Sequence, residues 1–466
     1  MIATGACLLL IAYLFWNDIQ KREGPPISWV PLVWMFLAGS RWVSSWLSLS
    51  GPMASVDDYA EGSPVDRAIF LALILAGAFV LSRRKIAWGQ LLAQNKWLVL
   101  YFLYCLSSIA WTDEPFVLVK RWIKDLGNPI MALVMLTEQR PYEAVGITLR
   151  RLSFLLLPLS VLFIRYYPEL GRTYHVDGAP MYTGVGHQKN DLGLMCLIAG
   201  MYFSWKILQK RRGAEAAEQA DIYDVLLIGM LVWLLHMSDS QTSFACLVTT
   251  VVVLLVARVP FISANGSRLV AVLAIAALSY SFLDATFHVK DSVLVLLGRN
   301  PSLTGRTELW EVIRRQEAHP IVGAGFMSFW AGQRMSAIWR ALGAGINQAH
   351  SGYLEQYLNL GYVGLAFIAV IMTSALFKVR RQLTIDPSAG VLRLCLLTAA
   401  ALYNYTEASF YGMNNMWVLL LAACLDVSGN SQPRSLGSVA SFSPAMAKDR
   451  TLKDVVGGVP WGSRRA

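Results

Sequence analysis

The stretch A-I-F-L-A-L-I-L-A-G-A-F-V-L-S, residues 68–82, is followed at once by R-R-K, residues 83–85. An apolar run of this kind without a charged residue is typical of a helix in lipid, where a span needs about 20 mostly apolar residues. Lys and Arg beside a span are retained on the cytoplasmic side of the membrane. The stretch therefore predicts a transmembrane helix over residues 66–82 that ends inside the cell.

The composition of the whole chain agrees with a membrane protein. Hydrophobic residues make up 55% of the 466 residues and charged residues only 15%, whereas a soluble domain carries about 25% charged residues. The net charge of +10 is more typical of Lys and Arg in cytoplasmic loops than of a nucleic-acid partner, and we expect no nucleic acid. The six cysteines lie in or beside apolar runs without a C-x-x-C pair, which favours buried apolar side chains over disulfides or metal ligands.

Similar apolar runs recur along the chain and predict an all-α polytopic membrane protein with 12–13 transmembrane helices and one large extracytoplasmic loop. The predicted spans are residues 2–16, 27–49, 66–82, 97–111, 122–137, 148–165, 190–206, 223–238, 242–258, 268–286, 352–377, 391–406 and 413–427. Positive charges follow the first run rather than precede it. We therefore expect a retained first span with its N-terminus outside, not a cleaved signal peptide.

The charges of the loops and the composition of the tail suggest a division of the chain. The predicted parts are N-terminal helices (1–222), a core (223–375) that contains the extracytoplasmic loop 287–351 with its short helices, C-terminal helices (376–427) and a tail (428–466). The tail is rich in Ser, Pro and Gly and poor in large apolar residues, so it is predicted to be a disordered cytoplasmic extension.

Three segments that are predicted to lie outside carry positive charge against the general trend: 112–124, 165–189 and 287–351. An anionic ligand at the outer face of the membrane would explain these charges. The alternative is that long loops cross the membrane regardless of their charge. The segment 112–124, which includes Arg121, is too short to count as a long loop, so its positive charges favour a ligand.

The long loop contains a predicted helix with a candidate phosphate site at its start. Residues 305–317, G-R-T-E-L-W-E-V-I-R-R-Q-E, place apolar side chains at helical spacing, and Thr304 or Thr307 can cap the helix. Arg306 then lies where free backbone N–H groups and the positive end of the helix dipole favour a phosphate. The alternative is an arginine that extends to lipid headgroups.

A histidine lies at the end of the same loop, where a long span begins. The string H-P-I-V-G-A-G-F, residues 319–326, predicts a tight turn, and a second helix is predicted over 326–341. His350 follows, at the boundary between membrane and water. An imidazole there can take a proton from a hydroxyl near neutral pH, although a lone histidine is also commonly a structural hydrogen-bonding residue.

At these residues the chain resembles the bacterial family of O-antigen ligases and O-antigen or exopolysaccharide polymerases. The resemblance is strongest over about 223–375, in G-R-T-E-L-W, H-P-I-V-G-A-G-F and A-H-S-G-Y-L-E-Q-Y-L-N-L-G-Y-V-G-L. Two strings outside this core, R-W-I-K-D at 121–125 and G-V-G-H-Q-K-N-D at 184–191, also fit the family. The string S-D-S-Q-T-S at 238–243 resembles the exopolysaccharide polymerases most.

The resemblance implies a glycosyltransferase that moves a glycan from undecaprenyl diphosphate to an acceptor hydroxyl, on the periplasmic side of the bacterial inner membrane. It implies no metal and no cofactor. Arg306 and Arg121, with Lys189, would bind the diphosphate, and His350 would be the base. Gln241 stands where many ligases have Arg, and Ser351 where Asn often follows the histidine. The first departure favours a polymerase.

Several alternatives remain open at the level of sequence. The acceptor is either a growing glycan or lipid A core, and a flippase and a chain-length regulator are the expected protein partners. A membrane transporter is the alternative from another class, because Arg41 and Glu407 fall near predicted spans, where charge is costly. Five aromatic residues of the loop region would either stack on sugars or anchor the chain at the interface: Trp310, Trp330, Trp339, Tyr353 and Tyr357.

Overall fold

The computed structural model describes residues 1–21, 27–47, 62–174, 178–210, 222–263, 267–272, 306–316, 318–343 and 345–427. Within these ranges the only strands are the two of a short antiparallel hairpin, β1 (Arg172–Tyr174) and β2 (Pro180–Tyr182). The helices are α1 (Ile2–Gln20), α2 (Val30–Gly39), α3 (Val43–Trp46), α4 (Pro64–Ser82), α5 (Trp88–Gln94), α6 (Lys96–Ser107), α7 (Pro115–Asp125), α8 (Gly127–Leu136), α9 (Pro141–Tyr166), α10 (Pro168–Gly171), α11 (Lys189–Lys210), α12 (Ile222–Ser238), α13 (Gln241–Val256), α14 (Pro260–Ser263), α15 (Arg306–Arg314), α16 (Gly332–Leu342), α17 (Gly352–Ile385), α18 (Pro387–Thr406) and α19 (Asn415–Cys424).

Helix length and composition confirm an all-α, multi-pass membrane protein. Five helices among the described residues are long and apolar enough to cross a membrane: α1, α4, α9, α11 and α17. Five further apolar segments are shorter, among them α2 and α19 with 10 residues each. A 10-residue helix is about 15 Å long, half of the roughly 30 Å of bilayer hydrocarbon. The total of 12–13 spans therefore stays a prediction.

The predicted span 122–137 is divided in the structure. Helix α7 ends at Asp125 and α8 begins at Gly127, where a Cβ atom would overlap the indole ring of Trp34. Asp125 is buried and accepts hydrogen bonds from the Gly412 N–H at 2.7 Å and from the Asn128 amide at 2.9 Å. The break thus gives a buried carboxylate its hydrogen-bond donors, which a continuous apolar helix would not provide.

Helix α17 is broken at Gly361, where φ is 63° and ψ is −160°. The turn predicted over 319–326 lies against this break and forms backbone hydrogen bonds with it, from Ala324 N–H to Leu358 O at 3.0 Å and from Tyr362 N–H to Pro320 O at 2.9 Å. Irregular backbone at membrane depth is tolerated where protein satisfies its polar groups. Two of the strings that carried the resemblance, H-P-I-V-G-A-G-F and A-H-S-G-Y-L-E-Q-Y-L-N-L-G-Y-V-G-L, therefore form one structural unit.

Glycine is required on both sides of this contact. A Cβ atom at Gly323 would overlap the backbone of Asn359, and one at Gly361 would overlap the backbone of Ile321. Both glycines also have positive φ, 70° at Gly323 and 63° at Gly361, which other residues rarely adopt. Close packing of the two backbones thus explains why glycine occupies both positions.

Two cations hold the far end of the buried helix α19, all ten residues of which are buried. Lys378 donates to Cys424 O at 2.9 Å, and Arg393 donates to Leu425 O at 2.8 Å and to Ala423 O. The last carbonyls of a helix have no partner within the helix, and cations there also match its dipole. Lys378 of α17 and Arg393 of α18 therefore cap the end of α19.

The described part of the long loop has a small core of its own, in which α15 packs against α16. Its buried members include Leu309, Ile313, Phe329, Trp330, Met335 and Ile338. The predicted helix 305–317 is confirmed as α15, and the second predicted helix begins later, at Gly332.

Some predictions fall on residues outside the described ranges. They are most of the predicted span 268–286, the first part of the loop 287–351, Thr304 and the tail 428–466.

Candidate active site

His350 lies in a left-handed backbone conformation, with φ of 53°, just before α17. Ser351 caps α17, and its hydroxyl accepts the Leu354 N–H at 3.4 Å. On the other side, Trp310 of α15 donates its indole N–H to Ala349 O at 2.9 Å. A left-handed non-glycine residue is uncommon and persists where its surroundings hold it. The turn is fixed from both sides, while 30% of the imidazole surface remains exposed.

Glu407, which follows α18, is the charged partner of this histidine. Its carboxylate oxygen Oε2 lies 3.5 Å from His350 Nδ1, and its side chain is almost fully buried. The other oxygen accepts the Asn190 side-chain amide at 2.9 Å, and its backbone carbonyl accepts the Gly352 N–H at 2.9 Å. Asn190 and Gly352 thus fix the carboxylate beside the imidazole.

Lys189 is the first residue of α11 and directly precedes Asn190. Because adjacent Cα atoms are about 3.8 Å apart, the Asn190–Glu407 bond places the backbone of Lys189 near the His350 turn. Asp191 fixes the start of α11 by accepting the backbone N–H groups of His187 at 3.0 Å and Gln188 at 3.2 Å. Two of the predicted site residues, Lys189 and His350, therefore lie at the same end of the helix bundle.

The string S-D-S-Q-T-S also reaches this end. Thr242 and Thr406 share a hydrogen bond of 2.6 Å between their hydroxyls, one residue before Glu407. Ser240 caps α13, and the exposed Gln241 is the first residue of that helix. The position at which many ligases have arginine is therefore near the Glu407–His350 pair.

Arg121 lies on α7, and its guanidinium donates to the carbonyl of Met327. Met327 has φ of 51° and belongs to the segment after the 319–326 turn. The side chain of Arg121 is half-buried. The structure therefore joins Arg121 to the long loop, and its link to the His350 turn is indirect, through residues that follow Met327.

Arg306 is the first residue of α15, one turn before Trp310. The backbone thus places it on the helix whose Trp310 holds Ala349, next to His350. Its side chain lies outside the described residues, as does that of Thr307. The predicted diphosphate contact and cap at this helix start therefore stay predictions.

A second carboxylate, Glu355, lies one turn into α17 and is fully buried. It accepts the Trp330 indole N–H at 2.9 Å and the Asn359 amide at 3.2 Å, and also the Ala349 N–H and the Tyr411 hydroxyl. Buried carboxylates are stable only when such donors compensate for the loss of water. Glu355 thereby connects the turn before α17 with two other segments.

Three of the aromatic residues singled out in the sequence have their polar atoms bound within the protein. Trp330 is 3% exposed and donates to Glu355, so its ring is packed inside the protein and fits neither of the two alternatives, stacking on a sugar or anchoring at the interface. Trp339 donates to Ile346 O at 2.7 Å, and Tyr353 donates to Ala401 O at 3.0 Å. Their polar atoms hold the loop and α17 rather than meet solvent.

Both residues that suggested a transporter have fixed protein contacts. Arg41 donates to the carbonyl of Leu170, and its own N–H donates to Val185 O at 3.1 Å. Burial lowers the pKa of nearby His187, an effect that Asp191 opposes and Arg41 strengthens. Glu407 pairs with His350. Neither charge belongs to a row that lines a pathway among the described residues.

Sequence reasoning missed the roles of Glu355 and Glu407. Glu407 was noticed only as a costly charge near a span, and Glu355 only as part of a string typical of the family. The available signal was the same for both, a carboxylate at the edge of an apolar run, which marks a functional or structural partner by default. The identity of that partner depends on the tertiary fold.

Comparison with known proteins supports the resemblance seen in the sequence. Residues 225–369 match the sequence model of the O-antigen ligase family. The exopolysaccharide production protein ExoQ of Rhizobium meliloti (strain 1021) is 24% identical over 312 residues, which cover 63% of this chain and 67% of that protein. These findings confirm the resemblance. The matched segment contains Arg306, His350 and Glu355, whereas Arg121, Lys189 and Glu407 lie outside it.

Proposed function

We propose that this protein is a membrane glycosyltransferase of surface polysaccharide biosynthesis. It transfers a glycan from undecaprenyl diphosphate to an acceptor hydroxyl, most simply as a polymerase of exopolysaccharide or O-antigen repeat units. The observation that carries the proposal is the His350–Glu407 pair, with 3.5 Å between Nδ1 and Oε2, at the edge of a segment that matches the O-antigen ligase family. The name of the relative from Rhizobium meliloti supports the same process.

The reaction needs one proton transfer and one stabilised leaving group. The acceptor oxygen forms a bond to the anomeric carbon, the bond from that carbon to the diphosphate oxygen breaks, and the hydroxyl proton passes to His350. We assign proton uptake to Nε2, because Nδ1 lies against Glu407. The Glu407 carboxylate orients the ring and stabilises the imidazolium that forms.

The leaving diphosphate carries the charge that develops in the transition state. Arg306, at the start of α15, with Arg121 and Lys189, would neutralise it, assisted by the free N–H groups of the helix. Preorganised donors of this kind lower the barrier without a metal. The metal-independent mechanism and the lipid-diphosphate donor are both part of the proposal.

An O-antigen ligase that transfers the glycan to lipid A core is the second candidate. The description of the matching family favours it, while the Gln241 position and the name of the Rhizobium relative favour a polymerase. The two activities differ in their product. Purified protein with a lipid-linked repeat unit alone gives lengthened glycan if it is a polymerase, and needs added lipid A core if it is a ligase.

The site is proposed to face the periplasm, on the outer side of the inner membrane. In this position the donor arrives after a flippase has turned it over, and a chain-length regulator would act on the growing product. Genes for these two proteins beside this one would favour the polymerase, and lipid A core genes would favour the ligase.

The proposal is tested by the His350→Ala variant in proteoliposomes with purified lipid-linked donor. Transfer is expected to fall about 100- to 10,000-fold, as for loss of a general base, while donor binding and the membrane level stay near those of the unchanged protein. His319→Ala is the control, since His319 Nδ1 accepts the Ile321 N–H at 3.2 Å within a turn. Normal turnover by His350→Ala would show that the base is elsewhere.

A further inference from the structure

The surroundings of Glu355 consist of hydrogen-bond donors. Its two oxygens each lie 2.9 Å from Trp330 Nε1, one lies 3.2 Å from Asn359 Nδ2, and the Ala349 N–H and the Tyr411 hydroxyl also donate to it. An ionised carboxylate accepts at about four lone-pair positions and donates nowhere. The site is therefore built for a carboxylate, and no smaller or neutral side chain would accept from all of these donors.

One of these donors belongs to the turn that carries the proposed base. Ala349 directly precedes His350, whose left-handed φ of 53° must be imposed by its surroundings. Trp310 binds the carbonyl of Ala349 and Glu355 binds its N–H. The peptide units on both sides of Ala349 are thereby fixed, and with them the direction in which the next residue projects.

The other donors come from the segments that carry the remaining site residues. Trp330 lies three residues after Met327, the carbonyl of which accepts from Arg121. Tyr411 lies four residues after Glu407, within the segment 407–414 that joins α18 to α19. The Glu355 carboxylate therefore joins the base, the partner of the base and the loop that Arg121 contacts.

We propose that Glu355 is a positioning residue for the transfer reaction, one that sets the place of His350 relative to the proposed diphosphate site. The inference rests on the proposed function and deepens it. Reacting groups must be held in a narrow geometry, and a shift of about 1 Å can cost about 100-fold in rate. Because Glu355 is fully buried, it acts through the turn and does not touch the substrates.

The decisive variant is Glu355→Gln, which keeps the shape but replaces one acceptor oxygen with a donor NH₂ group. That group would face N–H and O–H donors, and buried donors without acceptors are costly. In proteoliposomes with lipid-linked donor, kcat is expected to fall about 100-fold, while the donor KM and the affinity for the donor change less than about threefold.

Gln356→Met is the matched control. Gln356 is the next residue on α17, is equally buried, and exchanges hydrogen bonds with the Tyr101 hydroxyl on the far side of the helix. Its substitution removes a buried hydrogen bond without touching the His350 turn. We expect a lower thermal unfolding midpoint with kcat per folded molecule within about threefold, which separates helix stability from positioning.

A milder variant, Tyr411→Phe, keeps the test valid if Glu355→Gln folds poorly. It removes one donor and is expected to lower kcat about threefold to tenfold at an unchanged donor KM, and to add little to the effect of Glu355→Gln, since both changes act on one network. The proposal is overturned if Tyr411→Phe leaves kcat unchanged, or if Glu355→Gln lowers kcat no more than Gln356→Met. A wild-type protein that makes no product from the lipid-linked donor would instead refute the proposed function.

Discussion

The two ends of helix α17 hold buried charge in different ways. Near its far end, Lys378 and Arg393 terminate on the backbone carbonyls of α19. At its start, the Glu355 and Glu407 carboxylates accept hydrogen bonds mainly from side chains of other segments, around a histidine that stays partly exposed. The first arrangement completes a helix that cannot satisfy its own carbonyls. The second fixes a partly exposed histidine beside a buried carboxylate, which a stable fold does not require.

The largest expected effect is that of Arg306→Ala, which removes a residue of the proposed site near the start of α17. Loss of the proposed diphosphate contact should lower transfer about 1,000-fold or more, as for a missing arginine in phosphoryl transfer. Arg306→Lys should recover only part of the activity, because lysine keeps the charge and loses the bidentate fork. Arg314→Ala, exposed on the same helix, is the control. Full activity of Arg306→Ala at normal protein level would favour the alternative, in which Arg306 contacts lipid headgroups.

A smaller effect is expected for Glu407→Gln, which keeps the Asn190 contact and removes the charge beside His350. The carboxylate lies 3.5 Å from Nδ1, and loss of its attraction for the imidazolium that forms in the proposed step is expected to lower kcat about 10- to 100-fold, or about 1.4–2.7 kcal/mol. The donor KM should stay unchanged, since Glu407 faces the imidazole and not the proposed diphosphate site. Steady-state kinetics in proteoliposomes measure both constants. An unchanged kcat would show that the contact between His350 and Glu407 is only structural.

The smallest effect on activity is expected at the other end, for Arg393→Leu. This variant leaves the carbonyls of Ala423 and Leu425 without their donor, and its free energy of unfolding should fall by about 3 kcal/mol. The thermal unfolding midpoint in detergent should drop, while transfer per folded molecule should remain within about twofold. Arg381→Leu, exposed near the same end, should change neither quantity. A loss of transfer without a loss of stability would contradict the division between the two ends.

The sequence predicted those features that depend on local pattern. Apolar runs gave the spanning helices, helical spacing gave α15, and the position of His350 before a long span was correct. It could not predict where an apolar run divides or ends, because α8 and α19, with 10 residues each, are as apolar as the longer helices. It also could not pair Glu407 with His350 or Glu355 with Ala349. His350 and Glu407 are far apart in the chain, and only the packing of α17 against α18 brings them together. Ala349 and Glu355 are close in the chain, but their contact depends on the left-handed turn at His350.

The contact between the 319–326 turn and the break in α17 has a consequence for protein engineering. A Cβ atom at Gly323 would overlap the backbone of Asn359 and one at Gly361 would overlap the backbone of Ile321, and the two segments share backbone hydrogen bonds. A chimaera that takes the long loop from a relative with another glycan would combine two halves of one interlocking surface. The unit to exchange between relatives is therefore the whole stretch from 306 to 363, which keeps α15, the turn, His350 and Glu355 together.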